Sequence, residues 1–314
     1  MISVVVATYK RPDFANKCVE SLLADTYSDF EVIVAGQGGD DETRRMVERH
    51  FGGDAKVRYI HAPVAGLSGA RNLGYRQARG NVIVFVDDDA TALPGFLGAY
   101  ADIFADEGNR SGMAGGRLLP EWGEPCPEWY PEERRYMLGL FDAGHEPSEF
   151  PGGSLPPGAN FAVRRDLLDE LGGFDERMGF SAGRKNTMIA GEDTLLALRV
   201  KEAGNKIRYQ PGAAAHHYIA GYKLRKKYYL RRHFWEGVTV TRLAELMNKP
   251  SRFSMAAGAM RKTVYIAVRF MKLLAAFIRH RSAGSSRVML HAGILLQHCG
   301  EFYEMARFAC QGEA

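Results

Sequence analysis

The sequence predicts an α/β fold, a mostly parallel central sheet flanked by helices and followed by a helical carboxy-terminal extension. Two observations predict the sheet. ISVVVA at 2–7 is a continuous apolar run, as expected of a strand buried on both faces, and FEVIVA at 30–35 is a second strand. Segments with helical spacing separate such runs, which is the signature of βαβ units. A third observation concerns use: NVIVFV at 81–86 ends abruptly on three carboxylates, Asp87, Asp88 and Asp89.

Each element has its own reason. Ile2 to Ala7 is the first strand. Pro12 and Asp13 then open a helix with Phe14, Cys18 and Leu22 on one face. Phe30 to Ala35 is the second strand, and Asp40 and Asp41 stand in cap positions before the helix TRRMVERHF. Val57 to His61 is a short third strand. Ser68 to Arg79 reads as a helix ended by Gly80, and Asn81 to Val86 is the fourth strand. Right-handed crossovers make these strands run the same way, and ligands bind beyond their carboxyl ends. Thr8-Tyr9-Lys10-Arg11, Gly36 to Asp41 and Asp87 to Asp89 all fall on that edge.

Residues 115–160 are dense in Pro and Gly and are expected to be irregular surface segments. Regular structure returns in a strand at Asn160 to Val163 and a helix from Arg165 to Leu171. A helix from about Asp193 to Ala203 begins at Gly191-Glu192-Asp193 and stops at Gly204. Lys206 to Tyr209 is a strand, with His216 and His217 beyond it. From about Leu224 the chain reads as helical to its end. The expected organisation is an α/β domain over 1–222, with halves at about 1–114 and 115–222, and a basic helical extension over 223–314.

Composition narrows the function classes. Of 314 residues, 46% are hydrophobic and 25% charged, enough for a sizeable core. A net charge of +4 and the lack of a recognition module give no reason to expect nucleic acid. Four cysteines without CxxC spacing argue against a zinc site or a disulfide framework and suit a reducing compartment. No signal-peptide pattern or span-length apolar run is seen, so a cytoplasmic protein is expected. KLRKKYYLRRHFWEG and RKTVYIAVRFMKLLAAFIRHR are basic, and the second is amphipathic. Peripheral contact with an anionic membrane surface, on the inner face of the plasma membrane, is one reading of them. Packing on the core or on another subunit of an oligomer is the other.

The acidic motifs carry the chemistry. Adjacent carboxylates repel, and a divalent cation relieves that repulsion. Hard oxygen ligands suit Mg²⁺ or Mn²⁺, which fill their shells with substrate phosphates, so the run suggests a metal–diphosphate site. A solvated turn capping the next helix is the plain alternative. Arg71, in GLSGARN, either reaches a phosphate or is an ordinary surface arginine. Glu192 and Asp193 are either a helix cap or a site for a general base, with Gly191 leaving room for an acceptor. His217 is either structural or completes the metal shell.

Four segments, in order, resemble inverting family 2 glycosyltransferases with a GT-A, Rossmann-like fold. They are SVVVATYKRPD, GLSGARNLGYRQARGNVIVFVDDDA, PPGANFAVRRDLLDELGGFDERMG and GEDTLLALRVKEAGNKIRYQPGAAAHH, spanning roughly residues 2–240. The resemblance implies a nucleoside-diphosphate sugar donor and a saccharide or lipid-linked acceptor, in cell-surface polysaccharide or glycoconjugate biosynthesis. It implies that Thr8, Tyr9 and Arg11 line the nucleotide pocket, with Arg71 near the diphosphate. Asp87 and Asp88 would sit by ribose and metal, Asp89 would be the principal Mn²⁺ or Mg²⁺ ligand, and His217 a late metal or diphosphate contact. Asp193 would be the catalytic base, with Glu192 beside it and Asn160 facing the acceptor pocket. One segment departs from the family. EVIVAGQGGDD puts Gly36 and Gln37 where an acid often meets a uridine base, so Asp40 or Asp41 substitutes or the base is not uracil. A nucleotidyltransferase would show a Gly-rich loop after the first strand, which ATYKRPD lacks. A non-catalytic sugar-nucleotide or polysaccharide binding protein on this fold would not need Glu192 and Asp193.

Overall fold

The computed structural model describes residues 1–105, 111–181, 187–280 and 285–311. The chain forms two compact units. One comprises Met1–Glu121, Gly139–Lys185 and Glu192–Tyr218; the other comprises Trp122–Leu138, Asn186–Gly191 and Ile219–Ala314.

The first unit opens with β1 (Ile2–Thr8), α1 (Pro12–Leu23), β2 (Phe30–Gln37), α2 (Asp41–Phe51), β3 (Val57–Ala62), α3 (Leu67–Arg76) and β4 (Val82–Asp87). It continues with β5 (Ala90–Ala92), α4 (Phe96–Ala105), β6 (Ser111–Gly115), β7 (Leu118–Trp122) and β8 (Ser148–Glu149). Then come β9 (Asn160–Arg164), α5 (Arg165–Leu171), α6 (Glu192–Glu202), β10 (Lys206–Tyr209) and β11 (Ala215–Ile219). The main sheet has the order β3-β2-β1-β4-β9-β6-β10-β8. The first four strands are mutually parallel, as their βαβ spacing requires, whereas β9 runs antiparallel to β4 and β6. After β3 the chain returns to the far side of β1 to form β4. That reversal makes β1/β4 the switch point, with Ala7 opposite Asp87.

Strand alternation divides the core in two. Val4, Val6, Val32, Val34, Val84 and Val86 face α1, α2 and α4. Val5, Ile33, Ile83 and Phe85 face the side of α3, α5 and α6. Burying both faces explains why these strands read as predominantly apolar runs.

Residues 115–160 hold more structure than their Pro and Gly content suggested. β7 carries a proline, and β8 has two residues. Together with β5 and β11, β7 builds a separate three-stranded sheet in the order β5-β11-β7. The spacing signal also missed β6, Ser-Gly-Met-Ala-Gly, because it holds no β-branched residue.

The second unit contains α7 (Lys226–Asn248), α8 (Arg252–His280) and α9 (Ser286–Gln311). α9 packs on both other helices. A Cβ on Gly237 would collide with the Gln297 carbonyl, and one on Gly300 with the Phe234 carbonyl, so the two glycines let α7 and α9 touch backbone to backbone. Glu304, fully buried, accepts Arg242 Nε at 2.7 Å and Arg307 Nη2 at 2.6 Å, while Lys262 of α8 pairs with Glu301. Among the described residues no helix is long and apolar enough to cross a membrane.

Asp40 ties two loops of the sheet edge together. Its carboxylate accepts Thr43 N–H at 3.2 Å as the cap of α2, Thr43 Oγ1 at 2.7 Å, and Lys10 N–H at 2.6 Å from the loop after β1. Asp40→Ala is therefore expected to cost about 1–3 kcal/mol in urea unfolding. Asp41→Ala, on an exposed carboxylate, should stay within about 0.5 kcal/mol. Equal effects at the two positions would refute this account.

Candidate active site

The acidic run closes β4 at the switch point; Asp87 pairs with Arg71, whereas Asp88 and Asp89 share Arg11. Asp87 Oδ1 accepts Arg71 Nη2 at 2.8 Å. Asp88 Oδ1 accepts Arg11 Nη2 at 2.5 Å. Asp89 Oδ2 lies 2.8 Å from the same Arg11 nitrogen, and its Oδ1 lies 3.3 Å from His217 Nε2. Three like charges coexist because each faces a hydrogen-bond donor. Asp88 is 6% exposed; burial pushes its carboxyl up to about 7 while Arg11 pulls the other way.

His217 reaches this cluster through strand pairing. β11 runs antiparallel to β5 with His217 opposite Ala90, and Tyr218 N–H donates to the Asp89 carbonyl at 2.9 Å. Gly139 lies against the ring: a Cβ there would sit 3.1 Å from it.

Arg71 sits on α3 and is 1% exposed. Desolvating a guanidinium costs several kcal/mol unless it is fully paired. Here Nη1 donates to Glu192 Oε1 at 2.9 Å, and Nη2 to Asp87 and to the Gly158 carbonyl at 2.7 Å. Its charge also lies over the Phe161 and Phe174 rings, at 5.7 and 5.6 Å. Burial works against the cation, but Asp87 and Glu192 outweigh it and raise its pKa. Arg71 is thus neither an ordinary surface arginine nor one with its terminal groups free for a phosphate. Arg11, with 39% of its side chain exposed, is the less buried of the two guanidiniums at this edge.

The second acidic pair opens α6. Burial and the neighbouring Asp193 charge push Glu192 up to about 7, against the pull of Arg71. Burial likewise raises Asp193. Glu192 Oε2 is buried without a hydrogen-bond partner. A Cβ at Gly158 would come within 2.5 Å of Asp193 Oδ2, so only glycine lets the Pro156–Asn160 loop pass over that carboxylate.

The remaining expected residues divide. Thr8 ends β1, buried, with Tyr9 37% exposed just beyond it. Gln37 ends β2 on the same edge, buried, outside both acidic clusters. Lys10, between Tyr9 and Arg11, adopts φ 54, a left-handed conformation uncommon outside glycine. Asp40 is spent as a helix cap and is not available as a substitute acid for a nucleotide base. Asn160 differs from its expected role. It is fully buried, donates both amide hydrogens to the Arg117 and Ala213 carbonyls (2.9 and 2.8 Å), and accepts Tyr100 Oη–H at 2.6 Å. It frames the site instead of facing an acceptor. Gly158, Phe161 and Phe174 were not anticipated. The turn signal PPG marked the first, but nothing in the sequence links the two rings to Arg71.

Asp89 and His217 suit a divalent cation. Adjacent ligands of an octahedral ion with bonds of about 2.1 Å lie roughly 3 Å apart, close to the 3.3 Å between Asp89 Oδ1 and His217 Nε2. Asp87 turns to Arg71, and no three His, Cys, Asp or Glu side chains converge on one point among the described residues. Diphosphate oxygens and water would supply the other positions.

A parallel sheet with acidic residues at its switch point, extended by antiparallel β9 and a helical tail, defines the class: the fold is GT-A. The chain belongs to the family described as Glycosyl transferase family 2, which matches residues 3–172, and it is a glycosyltransferase. It is 31% identical over 241 residues, 75% of each chain, to the glucosyl-dolichyl phosphate glucuronosyltransferase of Haloferax volcanii. It is 29% identical over 138 residues to the GalNAc(5)-diNAcBac-PP-undecaprenol beta-1,3-glucosyltransferase of Campylobacter jejuni, covering 39% of this chain and 45% of that one. Its fold resembles the mannosyltransferase PcManGT of Pyrobaculum calidifontis, solved with GDP-Man and Mn²⁺: TM-score 0.62, 17% identity, 100% of this chain and 88% of that one. It also resembles S. aureus TarS 1-349 in complex with UDP-GlcNAc: TM-score 0.53, 14% identity, 94% and 90% covered.

The raised Glu192 pKa gives a pH prediction. A carboxyl raised in the folded state contributes stability that is fully present below its unfolded pKa of 4.5 and lost as pH rises through about 7. Glu192→Gln, which keeps an acceptor for Arg71, should flatten the dependence of the melting temperature on pH between those values. The variant should be the more stable protein above that window and lose the advantage below it. Parallel melting curves for the two proteins across that range would overturn the assignment.

Proposed function

We propose that the protein transfers a sugar from a nucleoside-diphosphate sugar to a hydroxyl of a lipid-linked saccharide, with inversion and with Mn²⁺ or Mg²⁺ bound. The observation that carries the reading is a pair of side-chain networks, His217–Asp89–Arg11–Asp88 and Asp87–Arg71–Glu192, joined only through the backbone at Asp87–Asp88, with Asp193 next in sequence after Glu192. Together they join a cation site to a candidate base.

In this reading Thr8, Tyr9, Arg11 and Gln37 line the nucleotide end, and Asp88 meets the ribose. Asp89 and His217 hold the metal, with Asp87 assisting. The metal, when bound, supplies Lewis-acid stabilisation of the departing diphosphate. Arg11 adds positive charge at the same edge. Asp193, whose carboxyl burial makes more basic than a free aspartate, accepts the acceptor's hydroxyl proton. The acceptor oxygen forms its bond to the anomeric carbon as the bond to the diphosphate oxygen breaks on the opposite face, and the configuration inverts. Arg71 positions Asp87 and Glu192 and keeps the two acidic groups in register. The lipid-linked acceptor rests on the two relatives whose names carry dolichyl and undecaprenol groups. Such an acceptor suits cell-surface polysaccharide or glycoconjugate assembly.

The test is a thermal-shift screen of UDP-, GDP- and dTDP-sugars with Mn²⁺, followed by turnover of the donor that binds. Native-state binding raises the melting temperature. Asp89→Ala should abolish the Mn²⁺-dependent part of that shift. Asp193→Asn should keep the shift and lose about 10²–10⁴-fold in turnover. Unchanged turnover in Asp193→Asn removes it as the base, and an undiminished Mn²⁺ effect in Asp89→Ala removes it from the metal site.

A further inference from the structure

α8 is apolar on two opposite sides. Met255, Ala259 and Ala276 are buried. On the other side Phe253, Met260, Val264, Met271 and Ile278 are 85, 74, 65, 62 and 65% exposed. At 3.6 residues per turn these five fall on one line along the helix, a line of roughly 40 Å. Single exposed apolar residues are ordinary, but a helix-long line of them marks a surface that meets something.

Charge identifies what it meets. α8 carries Arg252, Arg261, Lys262, Arg269, Lys272 and Arg279 and no acidic residue. Beside the apolar line, Lys272 and Arg279 of α8 and Arg287 and His291 of α9 line a cleft. No carboxylate stands among the residues that line it. Arg269, Lys272, Arg279 and Arg287 form no ion pair among the described residues, although elsewhere in these helices Arg232, Arg242, Lys262 and Arg307 do. Burial, then Arg269, Lys272 and Arg287, pushes the His291 ring below its usual range, and its Nδ1 is buried without a partner. The cleft is thus a concentration of uncompensated positive charge with an unused polar atom inside. A second copy of this face would bring cation against cation, which disfavours self-association. A bilayer with anionic headgroups offers both halves of the complement, hydrocarbon for the apolar line and phosphate for the cleft.

We infer that the outward face of α8 docks in the plane of an anionic lipid bilayer, with the Lys272–Arg279–Arg287–His291 cleft taking a lipid phosphate. None of these residues belongs to the acidic site, so the test does not depend on the proposed reaction. The full chain is floated with phosphatidylcholine vesicles, with and without phosphatidylglycerol. Binding is expected only with the anionic lipid and should weaken as salt rises. Lys272→Glu/Arg279→Glu/Arg287→Glu should lower the partition coefficient about tenfold or more. Met260→Ser/Val264→Ser/Met271→Ser should lower it at every salt concentration, while both variants keep the parent's helical circular dichroism. A variant that loses that signal is replaced by the corresponding single substitutions, read in the same assay. Equal flotation with neutral vesicles, no flotation, or a dimer that the Ser variant dissociates would each overturn the inference.

Discussion

A fully desolvated cation organises this glycosyltransferase. The Arg71 guanidinium has no water to fall back on, so its charge is tolerable only while Asp87, Glu192 and the Gly158 carbonyl stay within hydrogen-bond reach. Those three groups come from the end of β4, the start of α6 and the loop before β9. Their positions are therefore mutually dependent. Phe161 and Phe174 complete the enclosure, and each also packs on Phe85 of the same core. The apolar core below the sheet edge and the polar site above it thus meet at one side chain. Removing the acceptor oxygen at any one of the three leaves a buried guanidinium hydrogen without a partner, so the three segments hold one another in place.

The other half of the site depends on strand pairing. Asp88 and Asp89 lie beyond β4 in the connection to β5, a short strand that the three-stranded sheet alone makes useful. Its pairing with β11 carries His217 to Asp89 across more than a hundred residues of sequence. Arg11 closes the arrangement from the loop after β1, where Lys10 is held at positive φ and its N–H is taken by Asp40. The loop after β1 and the α2 cap therefore share a hydrogen bond, and Arg11 leaves a backbone fixed on both sides.

Much of the fold was legible because burial on both faces leaves a clear trace in a sequence. β1 and β2 appear as predominantly apolar runs broken only by Ser3 and Glu31, which bond to each other across the strands, and α5 and β10 match their expected spans. β5, β6, β7 and β11 were not legible, for physical reasons. They are short, rich in Ala, Gly or His, or interrupted by proline, and their stability comes from pairing partners distant in sequence. The residue types at the site were visible in the motifs, but their partners were not. Arg71 read as a phosphate contact or a surface residue because burial of an arginine depends on three segments that no local pattern connects. Asn160 read as an acceptor contact because a motif shows that an asparagine is present and not which way its amide is spent. Gln37 and Tyr9 stand at the expected edge, where a sheet argument alone had put them.

The His-His dipeptide in β11 has an implication for how this chain tolerates length changes. Side chains on a strand alternate faces, so His217 meets Asp89 by parity, and His216 points the opposite way. An insertion of one residue between β10 and β11 that shifted the pairing would exchange the two rings, but it would also turn every other side chain of β11 to the opposite face. Register is therefore part of the site: a slip of one residue would take Ala215 and Ile219 off the buried face together with His217 and put Tyr218 on it, so the length of the connection that feeds β11 is fixed by its own core as well as by Asp89.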